Sequence, residues 1–132
     1  MILVDTSVLI DFFRDRVGDH VEKFDFLLAR GMGFGITFFT YQELLQGSKS
    51  QADFARLKTY LDSQIFYELK RGRASYADAA YLYHRARQKG YTIRSTIDSL
   101  IAQVSIENNL LLLHNDRDFD VLSKIEPRLK FF

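Results

Sequence analysis

The sequence contains no cysteine, which excludes disulfide bonds and thiolate metal sites. Proline occurs only at Pro127, and no low-complexity stretch marks a linker. No apolar run approaches the ~18 residues of a membrane span, and no basic segment precedes the apolar start of the chain. We therefore expect a cytoplasmic protein that has neither a signal peptide nor a membrane partner.

The remaining composition is that of a chain able to build a full core. Hydrophobic residues make up 47% of the 132 positions, and 12 phenylalanines and 7 tyrosines supply large side chains. No linker or internal repeat divides the chain, so residues 1–132 are predicted to form one domain. The net charge of +1 neither indicates nor excludes a nucleic-acid partner, because the distribution of charge matters more than its sum.

Short apolar segments alternate with segments of helical periodicity along the chain. Strands are predicted at residues 1–4, 34–38, 65–69, 110–113 and 128–131. Helices are predicted over residues 8–14, 21–30, 41–46, 52–61, 75–88, 97–108 and 117–124. In the fourth of these helices, Phe54, Leu57 and Leu61 are expected on the buried face. The alternation of strands and helices predicts an α/β sandwich around a mostly parallel sheet.

Four acidic residues lie at the junctions between these strands and helices. Asp5 follows the first strand directly, and Asp116 follows the apolar run at 110–113. Glu43 lies in the first turn of the helix after the second strand, and Asp98 lies in the first turn of its own helix. Because sites in parallel sheets form beyond the carboxyl ends of the strands, Asp5, Glu43 and Asp116 are expected at one edge. Asp98 joins them if its helix begins at that edge.

Carboxylates that approach within about 4–6 Å of each other repel, and some must take up a proton unless a cation lies between them. No lysine or arginine in these turns is an obvious buried partner. A divalent cation with oxygen ligands, Mg²⁺ or Mn²⁺, fits such a cluster better. Metal ions held in this way can bind a phosphodiester, activate a water molecule and stabilise the leaving oxygen. The pattern therefore favours metal-dependent phosphodiester hydrolysis.

Each acid also has a simpler structural interpretation. Asp5 and Asp116 are placed to cap the helices that follow them. Glu43 follows Thr40 at the spacing of a capping box, and Asp98 favours the first turn of a helix through the helix dipole. Capping and metal ligation are compatible, however, because a carboxylate has two oxygens. These structural roles therefore weaken the metal-site hypothesis only in part.

Three segments of the sequence resemble a known family. They are MILVDTSVLIDFF, TFFTYQELLQG and IDSLIAQVSIENNLLLLHNDRDFD, in this order and at this spacing. The chain resembles the PIN-domain ribonucleases over nearly its whole length, and within them the VapC-like toxins of toxin–antitoxin pairs. The resemblance implies a three-layer α/β/α sandwich with a mostly parallel central sheet, and an Mg²⁺- or Mn²⁺-dependent endoribonuclease. It also implies an RNA substrate, a VapB-like antitoxin partner and a homodimer.

The resemblance also assigns the site residues. The acidic quartet of the family falls on Asp5, Glu43, Asp98 and Asp116, as catalytic residues and metal ligands. Supporting roles fall on Thr6 beside the first acid, on Asn115 before the last, and on Asp118 in the D-x-D-F ending. We expect Asp5, Asp98 and Asp116 to be the main metal ligands, and Glu43 to be a further ligand or to orient the attacking water. Hydrolysis would leave a 5′-phosphate and a 3′-hydroxyl.

Basic residues around the alanine- and tyrosine-rich helix at 75–88 could contact the RNA backbone. The candidates are Arg71, Arg73, Arg85, Lys89 and Arg94. For any one of these residues, a role on a solvated helix face is about as probable as a contact with RNA.

Three rival functions use similar pockets. A phosphatase with an aspartyl nucleophile needs a second acid two residues later, where this chain has Ser7. A signalling receiver needs a lysine after a late strand, where this chain has His114, Asn115 and Asp116. A protein-binding module would retain these acids only as vestiges and would not need the four carboxylates for binding. The nuclease hypothesis accounts for more of the residues than any of these rivals.

Overall fold

The computed structural model describes residues 1–132 and contains one five-stranded sheet flanked by seven helices. The strands are β1 (Ile2–Val4), β2 (Phe34–Ile36), β3 (Ile65–Phe66), β4 (Leu111–Leu113) and β5 (Lys130–Phe131). The helices are α1 (Thr6–Phe13), α2 (Asp19–Ala29), α3 (Phe38–Gln46), α4 (Gln51–Asp62), α5 (Arg73–Gln88), α6 (Thr96–Glu107) and α7 (Arg117–Ile125). None of the helices has the length and apolar character needed to cross a membrane.

The strands are arranged in the order β3-β2-β1-β4-β5, and every neighbouring pair is parallel. Side chains alternate across β1, so that Leu3 joins one core cluster while Ile2 and Val4 join the other. The Leu3 cluster includes buried residues of α5, α6 and α7, and the opposite cluster includes residues of α1 to α4. The predicted three-layer α/β/α sandwich is therefore confirmed.

The parallel arrangement brings the ends of the central strands to one edge of the sheet. The amide of Asp5 donates to the carbonyl of Leu113 over 2.9 Å, which ties the end of β1 to the end of β4. Helices α1, α3 and α7 begin within a few residues of β1, β2 and β4, respectively. Their N-termini therefore surround the same small volume, and side chains at the strand–helix junctions point into a region of positive helix dipoles.

The start of α3 differs from the prediction, and the predicted capping box does not form. The strand β2 ends at Ile36, Thr37 caps the helix, and its Oγ1 accepts from the amide of Thr40 over 3.1 Å. Phe38 belongs to the helix, where its ring lies 5.2 Å from that of Phe66. The sequence did not reveal where the strand stops, because large apolar side chains lie both in the strand and in the first helical turn. Glu43 consequently lies in the second turn of α3, away from the cap.

The helix α4 also differs in which side chains it buries. Leu61 is 1% exposed and Leu57 packs against the core, as predicted. Phe54 lies one turn before Leu57 and remains 41% exposed, so the prediction that it faces inward is wrong. Helical periodicity identifies the face of a helix but not how far along its length the core extends.

Phe24 should contribute far more to stability than Phe54. The ring of Phe24 is fully buried and makes edge-to-face contacts with Phe12 and Phe34 at centroid distances of 4.9 and 5.0 Å. We expect Phe24→Ala to lower the free energy of unfolding by about 3–5 kcal/mol in urea titrations. The matched control, Phe54→Ala, should cost about 1 kcal/mol or less. Equal losses for the two variants would contradict the assignment of the core.

Candidate active site

Asp5 stands at the N-terminus of α1 and is 4% exposed. Its Oδ2 accepts hydrogen bonds from the amide of Ser7 over 3.0 Å and from the Ser7 hydroxyl over 2.6 Å. Burial raises the pKa of Asp5 to about 6, although these hydrogen bonds oppose the shift, and the charge of Glu43 adds to it. Asp5 is therefore a helix cap, as the structural interpretation predicted. It is also a buried carboxylate whose charged form is destabilised by the loss of solvent.

Glu43 is held beside Asp5 by a group of hydroxyls between α1 and α3. Thr6 Oγ1 donates to Glu43 Oε1 over 3.0 Å and lies 3.0 Å from the hydroxyl oxygen of Thr40. Thr6 and Thr40 are both buried, whereas Glu43 is half-buried. The threonines therefore fix the direction of the Glu43 carboxylate through one of its two oxygens.

Asp98 lies in the first turn of α6 and is 7% exposed. Its carboxylate is grouped with those of Asp116 and Asp118, and one oxygen from each lies within 4.8 Å of the others. Asp98 Oδ2 and Asp118 Oδ1 are buried and have no hydrogen-bond partner. Buried polar atoms normally have a partner, so two unpaired carboxylate oxygens in one place are suited to bind a cation. The residues present therefore fit a divalent metal ion.

The carboxylates that cap or brace the backbone each leave one oxygen free. Asp116 caps α7 through Oδ1, which accepts from the amide of Asp118 over 2.9 Å. Asp118 Oδ2 accepts from the amides of Arg94 and Ser95 over 2.9 and 3.2 Å, and thereby holds the segment that leads into α6. Ser95 is the N-cap of α6 but makes no side-chain cap. One set of aspartates thus positions the backbone and presents oxygens to the same space.

The electrostatics of the site favour a bound positive charge. Burial raises the pKa of Asp98 well above its ordinary range, and the interaction with Asp118 and the charges of Asp116 and Asp5 raise it further. Burial and the neighbouring carboxylates therefore favour the protonated form of Asp98 when no cation is bound. A metal ion with oxygen ligands would replace that proton and relieve the repulsion.

Sequence reasoning missed a hydrogen-bonded network beneath the site. Asp11 on α1 accepts from Arg16 over 3.0 Å and Asn115 over 3.3 Å, and its Oδ2 lies 2.7 Å from His20 Nε2. Partial burial opposes the effect, but the bonds from these three side chains hold the pKa of Asp11 below its ordinary value. The amide of Asn115 donates to the Ser7 hydroxyl over 3.0 Å, and this hydroxyl binds Asp5. The supporting residue Asn115 is therefore fixed from two sides.

A cleft of about 570 Å³ opens beside the acids and is lined in part by Lys23, His114, Asn115 and Arg117. His114 Nδ1 accepts from the amide of Asp116 over 3.1 Å, which assigns the ring a structural role. Burial lowers the pKa of His114, so the ring is held neutral at this position. Asp116 is the one member of the carboxylate cluster that lines this cleft, which runs along the ends of β4 and β5.

The five predicted RNA-contacting residues occupy different surroundings. Arg71 is paired with Asp78 and Glu107, and Arg85 is paired with Glu126 over 2.9 Å and donates to a carbonyl of α7. These two side chains are committed to fixing α5 against its neighbours. Arg73 and Lys89 are exposed and form no ion pair. Of the five residues, only Arg94 contacts the acidic cluster. The carboxylates are therefore paired with one exposed arginine and with no buried basic side chain.

This combination of a parallel sheet and a buried carboxylate cluster at its carboxyl edge agrees with a known family. The PIN domain profile matches residues 2–125. The chain belongs to the PIN domain family. Membership covers nearly the whole length of the chain and counts against the receiver and phosphatase interpretations.

Individual relatives and solved structures agree with this assignment. The VapC ribonuclease Mb1587 of Mycobacterium bovis and ribonuclease VapC11 of Mycobacterium tuberculosis are each 29% identical over 127 residues, covering 95% of this chain and 93% of the relative. VapBC2 from Rickettsia felis, bound to a DNA fragment from the promoter, superposes with a TM-score of 0.73 at 21% identity, over 100% of this chain and 98% of that one. A toxin–antitoxin complex from Klebsiella pneumoniae gives 0.66 at 21% identity over 90% of each chain. These two structures support the fold.

The pH dependence of stability tests the buried charge. A carboxyl whose pKa is raised in the folded state stabilises the protein at low pH, and this contribution is lost as pH rises above the unfolded value of 3.8 toward the raised folded value. We expect metal-free wild type to lose thermal stability from about pH 4.5 to pH 8. Asp98→Asn should flatten this slope and raise Tm at pH 8 by on the order of 5 °C.

The matched control is Asp25→Asn, because Asp25 is an exposed carboxylate on α2. It should retain the wild-type slope. Saturating Mg²⁺ should raise Tm of wild type and not of Asp98→Asn. Identical slopes for wild type and Asp98→Asn would show that Asp98 is not the strained group.

The Asp11 network should be required for cation binding. Asp11→Ala removes the acceptor that holds Asn115 and His20, and groups that orient metal ligands typically contribute 10–100-fold to affinity. We expect its Mn²⁺ affinity in calorimetry to fall by about 10-fold or more. Asp62→Ala is the control, because Asp62 likewise accepts from two side chains, Tyr41 and Lys58, on the exposed side of α4. If Asp11→Ala lowers Tm but binds Mn²⁺ as wild type does, the network is only structural.

Proposed function

We propose that this protein is a metal-dependent endoribonuclease that acts as the toxin of a toxin–antitoxin pair. The observation that carries the proposal is the group of carboxylates at the carboxyl edge of the sheet, two of whose buried oxygens have no hydrogen-bond partner. Membership of the PIN domain family and similarity to proteins named as VapC ribonucleases support the reaction class. No observation favours a second function.

We assign the metal as Mg²⁺ or Mn²⁺, because the available ligands are all carboxylate oxygens. Asp5, Asp98 and Asp116 would hold it, and each retains at least one oxygen that no hydrogen bond of the backbone or of Ser7 occupies. Asp118 can add one oxygen at most, because the other binds the amides before α6. When bound, such a cation supplies a Lewis acid that activates water and neutralises charge on the phosphodiester.

The remaining steps depend on residues of the chain itself. Glu43, directed by Thr6, orients the attacking water and takes its proton through the carboxylate oxygen that Thr6 does not bind. Asn115 keeps the loop before Asp116 in place through Ser7 and Asp11. Attack of the water on phosphorus breaks the bond to the 3′-oxygen, which takes up a proton from solvent, so the products carry a 5′-phosphate and a 3′-hydroxyl.

The partners follow from the reaction and from the relatives. The substrate is RNA, with Arg73, Lys89 and Arg94 as the proposed backbone contacts, since Arg71 and Arg85 are held in ion pairs. An antitoxin of the VapB type is proposed because similar folds occur in toxin–antitoxin complexes. A homodimer and a cytoplasmic location stay predictions from the sequence.

Cleavage of a labelled RNA with purified protein tests the function. We expect cleavage with Mg²⁺ or Mn²⁺ that EDTA abolishes. Asp98→Asn and Glu43→Gln should each lower the rate about 100-fold or more, because one holds the cation and the other orients the water. Asp25→Asn should cleave like wild type.

The chemistry of the product ends gives an independent check. Attack by water predicts a 5′-phosphate at the new end, detectable by ligation-based sequencing of 5′ ends. A 2′,3′-cyclic phosphate, or full activity of Asp98→Asn, would contradict the proposed mechanism. Co-expression with the product of a short neighbouring reading frame should restore growth if the protein is a toxin with an antitoxin.

A further inference from the structure

Arg94 is the only cationic side chain that contacts the carboxylate cluster. Its Nη2 lies 3.7 Å from Asp116 Oδ1 and its Nε lies 3.6 Å from Asp118 Oδ1. Both distances exceed those of a good hydrogen bond, and the side chain is 61% exposed. The second contact is with one of the two buried oxygens that lack a hydrogen-bond partner. Arg94 therefore compensates the acids only loosely and from the solvent side.

The main chain at Arg94 is fixed although its side chain is not. The amides of Arg94 and Ser95 donate to Asp118 Oδ2 over 2.9 and 3.2 Å. Asp118 is 1% exposed and stands in the first turn of α7, so the anchor belongs to the core. The guanidinium is consequently tethered beside the cluster, yet it can turn away without disturbing the backbone.

A divalent cation and the guanidinium would compete for the same oxygens. A cation among Asp98, Asp116 and Asp118 would neutralise the charge that attracts Arg94 and would repel the guanidinium at close range. A displaced arginine at this position can reach an anion that approaches the bound cation. The planar guanidinium binds phosphate oxygens in a bidentate manner, which an ammonium group does not reproduce.

We propose that Arg94 exchanges partners when the site is loaded. In the metal-free protein it neutralises Asp116 and Asp118, and in the loaded protein it leaves them and binds a phosphate of the RNA. This inference rests on the proposed function and adds that metal binding and RNA binding are linked through one side chain. The exchange makes the metal-free site a poor RNA site, because its arginine is occupied.

Arg94→Ala should change two affinities in opposite directions. Mn²⁺ affinity in calorimetry should rise by about 3-fold or more, since the two ion pairs of the exposed arginine no longer compete with the metal. RNA affinity should fall by about 10-fold or more, since a charge-assisted contact with phosphate is lost. RNA binding is measured by anisotropy at saturating Mn²⁺ in the Glu43→Gln background, so that the RNA stays uncut.

Two further variants separate charge from geometry. Arg94→Lys should keep Mn²⁺ affinity near that of wild type but recover only part of the RNA affinity, because it cannot bind phosphate in a bidentate manner. Arg128→Ala is the matched control, since Arg128 is 69% exposed and paired with the buried acid Glu126 away from the cluster. It should leave Mn²⁺ affinity unchanged.

The outcomes distinguish this inference from the proposed function. If wild type takes up Mn²⁺ and cleaves RNA while Arg94→Ala lowers or preserves Mn²⁺ affinity, the exchange is refuted and the nuclease assignment stands. If Arg94→Ala binds RNA like wild type, the exchange is likewise refuted. If wild type neither takes up Mn²⁺ nor cleaves RNA, the proposed function itself fails.

Discussion

Repulsion among buried carboxylates is the constraint that the rest of the structure has to satisfy. Asp5, Asp98 and Asp118 are nearly inaccessible, and the half-exposed arginine beside them offsets only part of their charge. The fold tolerates this arrangement because three helix N-termini and several backbone amides face the same volume. The negative charge that the helices do not compensate is available to a cation. Relief of the repulsion between the carboxylates therefore contributes to the free energy of metal binding.

The parallel sheet explains how residues so distant in sequence come together. The βα junctions after β1, β2 and β4 lie at the same edge, and the hydrogen bond between Asp5 and Leu113 joins the two central junctions. Asp98 comes to this edge on α6, which follows another helix and not a strand. The carboxylates that cap helices use one oxygen for the backbone. One oxygen of such a side chain therefore holds the backbone, and the other is available to a ligand. The residues that cap the helices thus also form the site.

Much of this could be predicted from the sequence, because the informative signals are local. Apolar runs ending in acids indicated the strands, their shared edge and the convergence of Asp5 and Asp116. The limits were set by contacts that cross between elements. The cap at Thr37 lay hidden in a continuous apolar run, and Arg85 gave no sign of its partner Glu126, 41 residues away. The grouping of Asp118 with Asp98 and the link from Asp11 to Asn115 likewise depend on side-chain packing that periodicity does not encode.

The two oxygens of Asp5 have different roles, and this has a consequence for how the protein can be inactivated by a single substitution. An asparagine at this position keeps a side-chain oxygen for the amide and hydroxyl of Ser7 but has no negative charge for a cation. Disarming the protein therefore requires no disruption of its architecture. The chain with asparagine at position 5 would therefore keep the fold while having one ligand fewer for the cation.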